Sequence, residues 1–373
     1  MIYSPEYLAY DFGPNHPFTP VRLEMLLDLL NALGFDNAYR VPKAATREDL
    51  LTVHSEAFVR RVEAASRGDA VPDLQHYGLG TPDTPTFPEM DKAARRVVGG
   101  TLTAAEMIIK NEARMALQLG GGLHHAQRDL AAGFCVYNDL SVAIRKFTSQ
   151  GLRVAYLDMD VHHGDGVQWI HYQEENVLTI SFHESGKYLF PGTGDVHEIG
   201  RGEGVGRSLN VPLQPFTQDQ SYIEVFHQVS EKALGWFRPD VLVVQCGTDA
   251  HVLDPLAELL LTGRAYQQLF NLVRQYAEAF AGGRALYTLG GGYSLDATSR
   301  VWALLWANLQ GTKLAGRVPE DWARRWEEKM GVVLTREFLD PLEAPVIPRK
   351  KEIEETNRRA AGKLLEIVGP YWR

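Results

Sequence analysis

Five short apolar runs in this chain each stop at a cluster of Gly, His or Asp, and that repetition limits the fold more than any other feature. Residues 116–119 run into Gly120-Gly121-Gly122-Leu123-His124-His125. Residues 154–157 run into Asp158-Met159-Asp160-Val161-His162-His163-Gly164-Asp165. Residues 177–181 precede Phe182-His183, residues 241–245 precede Cys246-Gly247-Thr248-Asp249, and residues 285–289 precede Gly290-Gly291-Gly292-Tyr293. Runs that are apolar without alternation suit strands buried on both faces. Helix-like stretches lie between them, at 222–237 and 266–280, another lies before the first run at 97–109, and Leu23, Leu26, Leu27, Leu30 and Leu33 fall at helical spacing before Gly34, a stop signal. This alternation predicts an α/β protein, a three-layer αβα domain around a mainly parallel sheet. In such sheets ligands bind beyond the carboxyl ends of the strands, so the five clusters should meet at one edge.

The chain of 373 residues is long enough for a large core, and no internal boundary stands out, so a single domain over 1–373 is expected. Residues 68–92, rich in Gly, Pro, Asp and Thr, read as a surface loop. Residues 338–349 carry Pro341, Pro345 and Pro348 and read as an extended connector. Residues 350–368 are charged with an apolar stripe at Ile353, Leu364, Leu365 and Ile367, so 338–373 is expected to be an extended, then helical, extension packed on the body. A net charge of −9 argues against a general nucleic-acid partner. Cys135 and Cys246 are the only cysteines, which excludes a disulfide scaffold and suits a reducing compartment. No signal-peptide pattern and no apolar run of membrane-spanning length are present. The expected location is the cytoplasm, with no membrane partner.

The segment 158–165 holds three carboxylates and two imidazoles within eight residues. Like charge at that density is costly unless a cation sits among it. Asp160 and His162 are two apart and point the same way on an extended backbone, and carboxylate plus imidazole is a ligand set for zinc or another divalent ion. A catalytic site of this type takes three protein ligands, and Asp249 is the candidate third, although an Asp after a strand also suits a helix N-cap. His124 and His125 each need a partner to fix a tautomer, and Asp158 and Asp165 are acids free to serve; His–Asp dyads beside a metal give a general base and a general acid. Tyr293, after a glycine triplet, is placed to donate a hydrogen bond to an oxyanion, or else packs as a core tyrosine. No dinucleotide or phosphate-loop pattern accompanies the glycines.

These motifs in this order resemble the zinc-dependent deacetylases of the histone deacetylase superfamily. The resemblance runs from about His16 to Trp306 and includes His16-Pro17, the segments 121–126, 133–139, 158–166, 190–195 and 247–249, and Gly290-Gly291-Gly292-Tyr293. Asp83-Thr84-Pro85 and Asp249-Ala250-His251 are similar to the acetoin-utilization branch. The resemblance implies an arginase/deacetylase-like fold and hydrolysis of acetyl or short acyl groups from Nε-acyl-lysine by metal-activated water. It implies zinc, or Fe2+ in its place, on Asp160, His162 and Asp249, with His124 paired to Asp158 and His125 to Asp165. Tyr293 then polarises the amide carbonyl. Phe134 and Phe190, with Gly133, wall a substrate tunnel, Leu256 lies near its rim, Asp83 is a rim acid for the substrate backbone, and Arg22 belongs to an internal cavity beneath the metal. A structural K+ is implied on main-chain oxygens around Asp158, Asp160, His162, Ser181 and Phe182. The implied partner is an acetylated protein or peptide, an acyl-CoA synthetase being one candidate through the acetoin-utilization branch. Three other readings share some of these residues: an acetylpolyamine amidohydrolase, an arginase-like ureohydrolase with a second metal near His251, and a silent acyl-lysine-binding module.

Overall fold

The computed structural model describes residues 1–35, 38–314, 316–340 and 345–372. Six strands, β1 (Met115–Gln118), β2 (Val154–Asp158), β3 (Val177–Glu184), β4 (Ser208–Leu213), β5 (Val241–Gln245) and β6 (Ala285–Thr288), form one wholly parallel sheet in the order β1-β6-β5-β2-β3-β4. The helices are α1 (Val21–Ala32), α2 (Arg47–Leu51), α3 (Glu56–Ser66), α4 (Met90–Ile109), α5 (Asp139–Thr148), α6 (Asp165–His171), α7 (Asp219–Phe237), α8 (Gly263–Phe280), α9 (Leu295–Leu309), α10 (Glu320–Met330) and α11 (Lys350–Val368). Side chains alternate across a strand, and here both faces are apolar. Val154, Tyr156, Val241 and Val243 pack with Ile144 and Phe147 of α5. Ala155, Leu157, Leu242 and Val244 join the larger core under α7, α8 and α9. The α/β, arginase/deacetylase-like expectation holds: the sheet is covered on both faces.

The five anticipated strands are present, with two differences. β3 continues three residues past Ser181, because Ser181, Phe182 and His183 pair with Asn210, Val211 and Pro212 of β4. β4 itself was not anticipated. Its Ser208-Leu209-Asn210-Val211-Pro212-Leu213 lacks an unbroken apolar run, and Pro is tolerated there because β4 is an edge strand. The helix expected at 97–109 begins at Met90, inside the stretch read as loop. Met90, Ala93 and Ala94 extend the buried stripe of Val97 and Val98 by about two turns, and the rest of 68–92 includes a short 3-10 turn at Leu74–Tyr77. Gly34, at a φ of 75°, follows the end of α1.

Pro341 lies outside the described residues. Beyond it, α11 covers the β4 edge and lies along α7. Ile353, Asn357, Ala361, Leu364 and Val368 form its buried face, whereas Leu365 and Ile367 are half-buried beside it. The Asn357 amide accepts from Gln214 N–H at 3.0 Å and donates to Thr217 Oγ1 at 2.8 Å and Ser221 Oγ at 3.0 Å. No helix among the described residues is long and apolar enough to cross a membrane. Leu364 is fully buried in this contact. Leu364→Ala is expected to cost about 2–5 kcal/mol, read as a lower unfolding midpoint in denaturant, whereas Lys363→Ala on the exposed face should leave the midpoint within error.

Candidate metal centre and active site

The β2 strand ends in Asp158, whose register partners are Ser181 on β3 and Gln245 on β5. This register brings the loops after β2 and β5 side by side and closes a group of three buried ligand atoms from Asp160, His162 and Asp249, all within 4.8 Å of one another. His162 Nδ1 stands 3.1 Å from Asp160 Oδ1 and 3.2 Å from Asp249 Oδ2. Bonds of about 2.0–2.2 Å to a tetrahedral ion place ligand atoms about 3.3 Å apart, so the three residues fit a divalent cation. The outer oxygens are anchored by the protein. Asp160 Oδ2 accepts from Gln245 Nε2 at 2.6 Å and Gly291 N–H at 3.0 Å, and Asp249 Oδ1 accepts from Val161 N–H at 2.9 Å. Asp249 caps no helix, so the alternative N-cap role does not apply.

The charges point the same way. Burial, then the Asp160 carboxylate, raise the pKa of Asp249. Burial opposes charge on His162, yet its bonds to Asp160 and Asp249 outweigh it and hold its pKa up at about 10. Two carboxylates thus demand a positive charge at the point they share, which a metal ion satisfies in place of a proton.

His124 and His125 follow β1, and each has its own acid. His124 Nδ1 is 2.8 Å from Asp158 Oδ2, which also accepts from the Tyr156 hydroxyl at 2.6 Å. His125 Nδ1 is 2.7 Å from Asp165 Oδ1, whose second oxygen accepts from Gln127 Nε2 at 3.0 Å. The two rings are not electrostatically equal. Burial disfavours charge on His124, but Asp158 and then Asp160 overcome it and hold the pKa at about 9. For His125, burial and then the adjacent His124 push the pKa down, with Asp165 offsetting only part. The two rings are thus pulled in opposite directions, His124 toward its charged form and His125 toward its neutral form.

Above this floor, Phe134 meets Tyr293 edge-on at 5.7 Å between ring centres, while Phe190 packs against His125 at 5.0 Å and His162 at 6.4 Å. The two phenyl rings therefore flank the site from the Tyr293 side and the histidine side. Gly133 lies against the His125 ring at a φ of 54°, and a Cβ there would collide with that ring. Asp83 Oδ2 accepts from Gly133 N–H at 2.7 Å. Leu256 is half-buried, its N–H bonded to Asp254. Burial, then Asp249 and Asp160, raise the Tyr293 phenol well above its ordinary pKa, so it stays a donor. Below, the buried Arg22 guanidinium donates to Gly290 O at 3.0 Å and Gly292 O at 2.9 Å. It borders a cavity of about 20 Å³, room for about one water, shared with Tyr10, Phe18 and Trp302. The structure thus brings the three candidate ligands, the two His–Asp pairs, Phe134, Phe190 and Tyr293 into one neighbourhood.

His251 does not join the metal group. Its Nε2 is 2.9 Å from Asp340 Oδ2 and its Nδ1 accepts from Leu253 N–H at 3.1 Å, so both ring nitrogens are engaged. Asp340 is held in turn by Arg300 at 2.9 Å. Among the described residues, Asp160, His162 and Asp249 are the sole cluster with metal-ligand spacing.

Sequence reasoning missed several supporting residues. Gln245 carried a signal, a polar residue ending the apolar run 241–245. Asp139 ends the segment 133–139 that carries the resemblance, but nothing in the sequence told its role: its carboxylate accepts from Gly122 and Leu123 N–H and from Thr101 Oγ1, fixing the turn before the two histidines. His54, whose pKa burial lowers to about 4, ties Gln127 O to Asn138 N–H across the same turn.

Residues 16–309 match the family model of the histone deacetylase domain. The acetoin utilization protein AcuC of Bacillus subtilis (strain 168) is 41% identical over 373 residues, covering 98% of this chain and 96% of the relative. AcuC of Staphylococcus xylosus is 36% identical, with 98% and 96% covered. A crystal structure of an HDAC homologue complexed with SAHA superposes with a TM-score of 0.86 at 29% identity, covering 96% of this chain and 98% of that one. An HDAC homologue from Aquifex aeolicus gives 0.84 at 29% identity with the same coverage. With a family match over most of its length and curated relatives at 41% and 36% identity, the chain belongs to the histone deacetylase family, in its acetoin-utilization branch.

Proposed function

We propose that this deacetylase is a zinc-dependent amidohydrolase that removes acetyl or short acyl groups from Nε-acyl-lysine of proteins. The observation that carries the reading is the setting of the metal cradle: two imidazoles, each oriented by its own carboxylate, and the Tyr293 phenol beside the Phe134 ring surround it. An ion in the cradle, zinc or Fe2+ in its place, supplies Lewis acidity toward a carbonyl and makes water more acidic.

The chain's own groups do the rest. His125, neutral and oriented by Asp165, takes the proton of the attacking water at Nε2 and later hands it to the departing lysine amine. His124 keeps its proton and stabilises negative charge. Tyr293 donates its hydroxyl hydrogen to the carbonyl oxygen as that oxygen becomes an oxyanion. Phe134 and Phe190 suit a flat amide on a methylene stem, with Leu256 and Asp83 at the rim. In this reading K+ binds main-chain oxygens around Asp158, Asp160, His162, Ser181 and Phe182, where β2 and β3 lie in register. The substrate is an acetylated protein, with an acyl-CoA synthetase as the candidate suggested by the acetoin utilization relatives, and the location is the cytoplasm.

The direct test is turnover of the zinc-loaded protein on acyl-lysine peptides of graded chain length and on acetylspermidine. Faster turnover of the acetyl-lysine peptide supports the reading. Preference for acetylspermidine replaces it with a polyamine amidohydrolase, and binding without turnover replaces it with a silent acyl-lysine reader.

Asp249→Ala should lose bound metal and activity together, by elemental analysis and assay; full zinc occupancy would remove Asp249 from the ligand set. Tyr293→Phe should keep its fold and zinc and lose about 10²–10³ in kcat, the usual cost of one oxyanion donor. His125→Ala should be close to inactive and His124→Ala less impaired, both retaining zinc. The lowered His125 pKa places the acid limb of kcat/KM below pH 6.5, where the base becomes protonated. Reversed residual rates would exchange the two roles.

A further inference from the structure

We infer that Asp254 is a positioning residue for the reaction, fixing the Tyr293 phenol over the metal cradle by gripping the main chain that carries it. The inference rests on the reading of Tyr293 as the oxyanion donor and goes beyond it. Three consecutive glycines precede Tyr293, and glycine holds its own conformation least well. A phenol on such a segment is preorganised only if other groups hold the backbone.

The ties are specific. Arg22 holds the carbonyls of Gly290 and Gly292, Asp160 accepts from Gly291 N–H, and Thr248 N–H donates to Gly291 O at 2.8 Å. Asp254 takes the next two amides along the chain. Its Oδ2 accepts from Tyr293 N–H at 2.7 Å and from Ser294 N–H at 3.3 Å. Ser294 in turn caps α9, its hydroxyl accepting from Ala297 N–H at 3.3 Å. Asp254 therefore sits where the glycine segment joins a rigid helix. Its side chain is buried, and its other oxygen accepts from Leu256 N–H at 3.0 Å. One carboxylate thus binds the backbone of the oxyanion donor to the backbone of the tunnel rim. Losing it leaves three part-buried amides, those of Tyr293, Ser294 and Leu256, without their acceptor and frees the phenol to drift, and a misplacement of about 1 Å is enough to cost about 10²-fold in rate.

The test is a double-mutant cycle on kcat and KM with an acetyl-lysine peptide, with zinc content and unfolding midpoint measured on every variant. Asp254→Ala should lower kcat by about tenfold or more with zinc content unchanged. In a Tyr293→Phe background the same substitution should cost less than about twofold, because the group it positions is already gone. Asp254→Asn keeps the volume and one acceptor oxygen, so its kcat should fall between wild type and Asp254→Ala; it carries the cycle if the alanine variant does not fold. Equal losses in both backgrounds would overturn the inference and make Asp254 a structural residue only. Normal turnover in Tyr293→Phe would instead overturn the role of the phenol itself, and the inference with it.

Discussion

Negative charge held out of water governs this molecule. Asp139, Asp158, Asp160, Asp165, Asp249 and Asp254 are all buried around one sheet edge. Carboxylates in that position persist only with dense compensation. Each finds it differently: Asp139 and Asp254 in main-chain amides, Asp158 and Asp165 in imidazoles, Asp160 and Asp249 in one shared cationic point. The division of labour among chemically identical side chains comes from these surroundings. An amide-bound carboxylate shapes a loop, an imidazole-bound one orients that ring, and a pair facing each other beside His162 has the spacing of a metal cradle.

The same demand explains the glycine clusters. A Cβ at Gly291 would collide with the carboxylates of both Asp249 and Asp160, so only glycine lets its amide reach Asp160. At Gly133 a Cβ would strike the His125 ring, and the glycine there also allows its amide to meet Asp83. Backbone is thereby brought against the acids and the base at distances side chains would forbid, and the aromatic walls are set by the same turns.

The C-terminal region is coupled to the site through polar contacts. His251, two residues past Asp249, is bound to Asp340, and Asp340 to Arg300 of α9. This arrangement converts a position that could have served a second metal into an anchor for the segment leading toward α11. The metal loop is thus braced from its outer side by residues beyond the 16–309 family match.

The sequence by itself determined the strand ends and their chemistry. Unbroken apolar runs specify buried parallel strands, and the residues just past the end of such a strand must lie at the ligand edge. Asp160, His162, Asp249, the two histidines and Tyr293 were therefore expected at one edge from order alone, whereas order left Asp249 between ligand and N-cap and Tyr293 between donor and core residue. β4 was not, because an edge strand holding Asn210 and Pro212 carries no unbroken run. Gln245, Asp139, Asp254 and the His251–Asp340 pair gained their roles only in the tertiary structure. These side chains act on main-chain amides or on groups up to 89 residues away, and such contacts leave no periodicity or spacing to read. The opposite electrostatic pull on the two imidazoles also arose there, since His124 and His125 are adjacent and alike in sequence, and differ in the acids and neighbours that folding gives them.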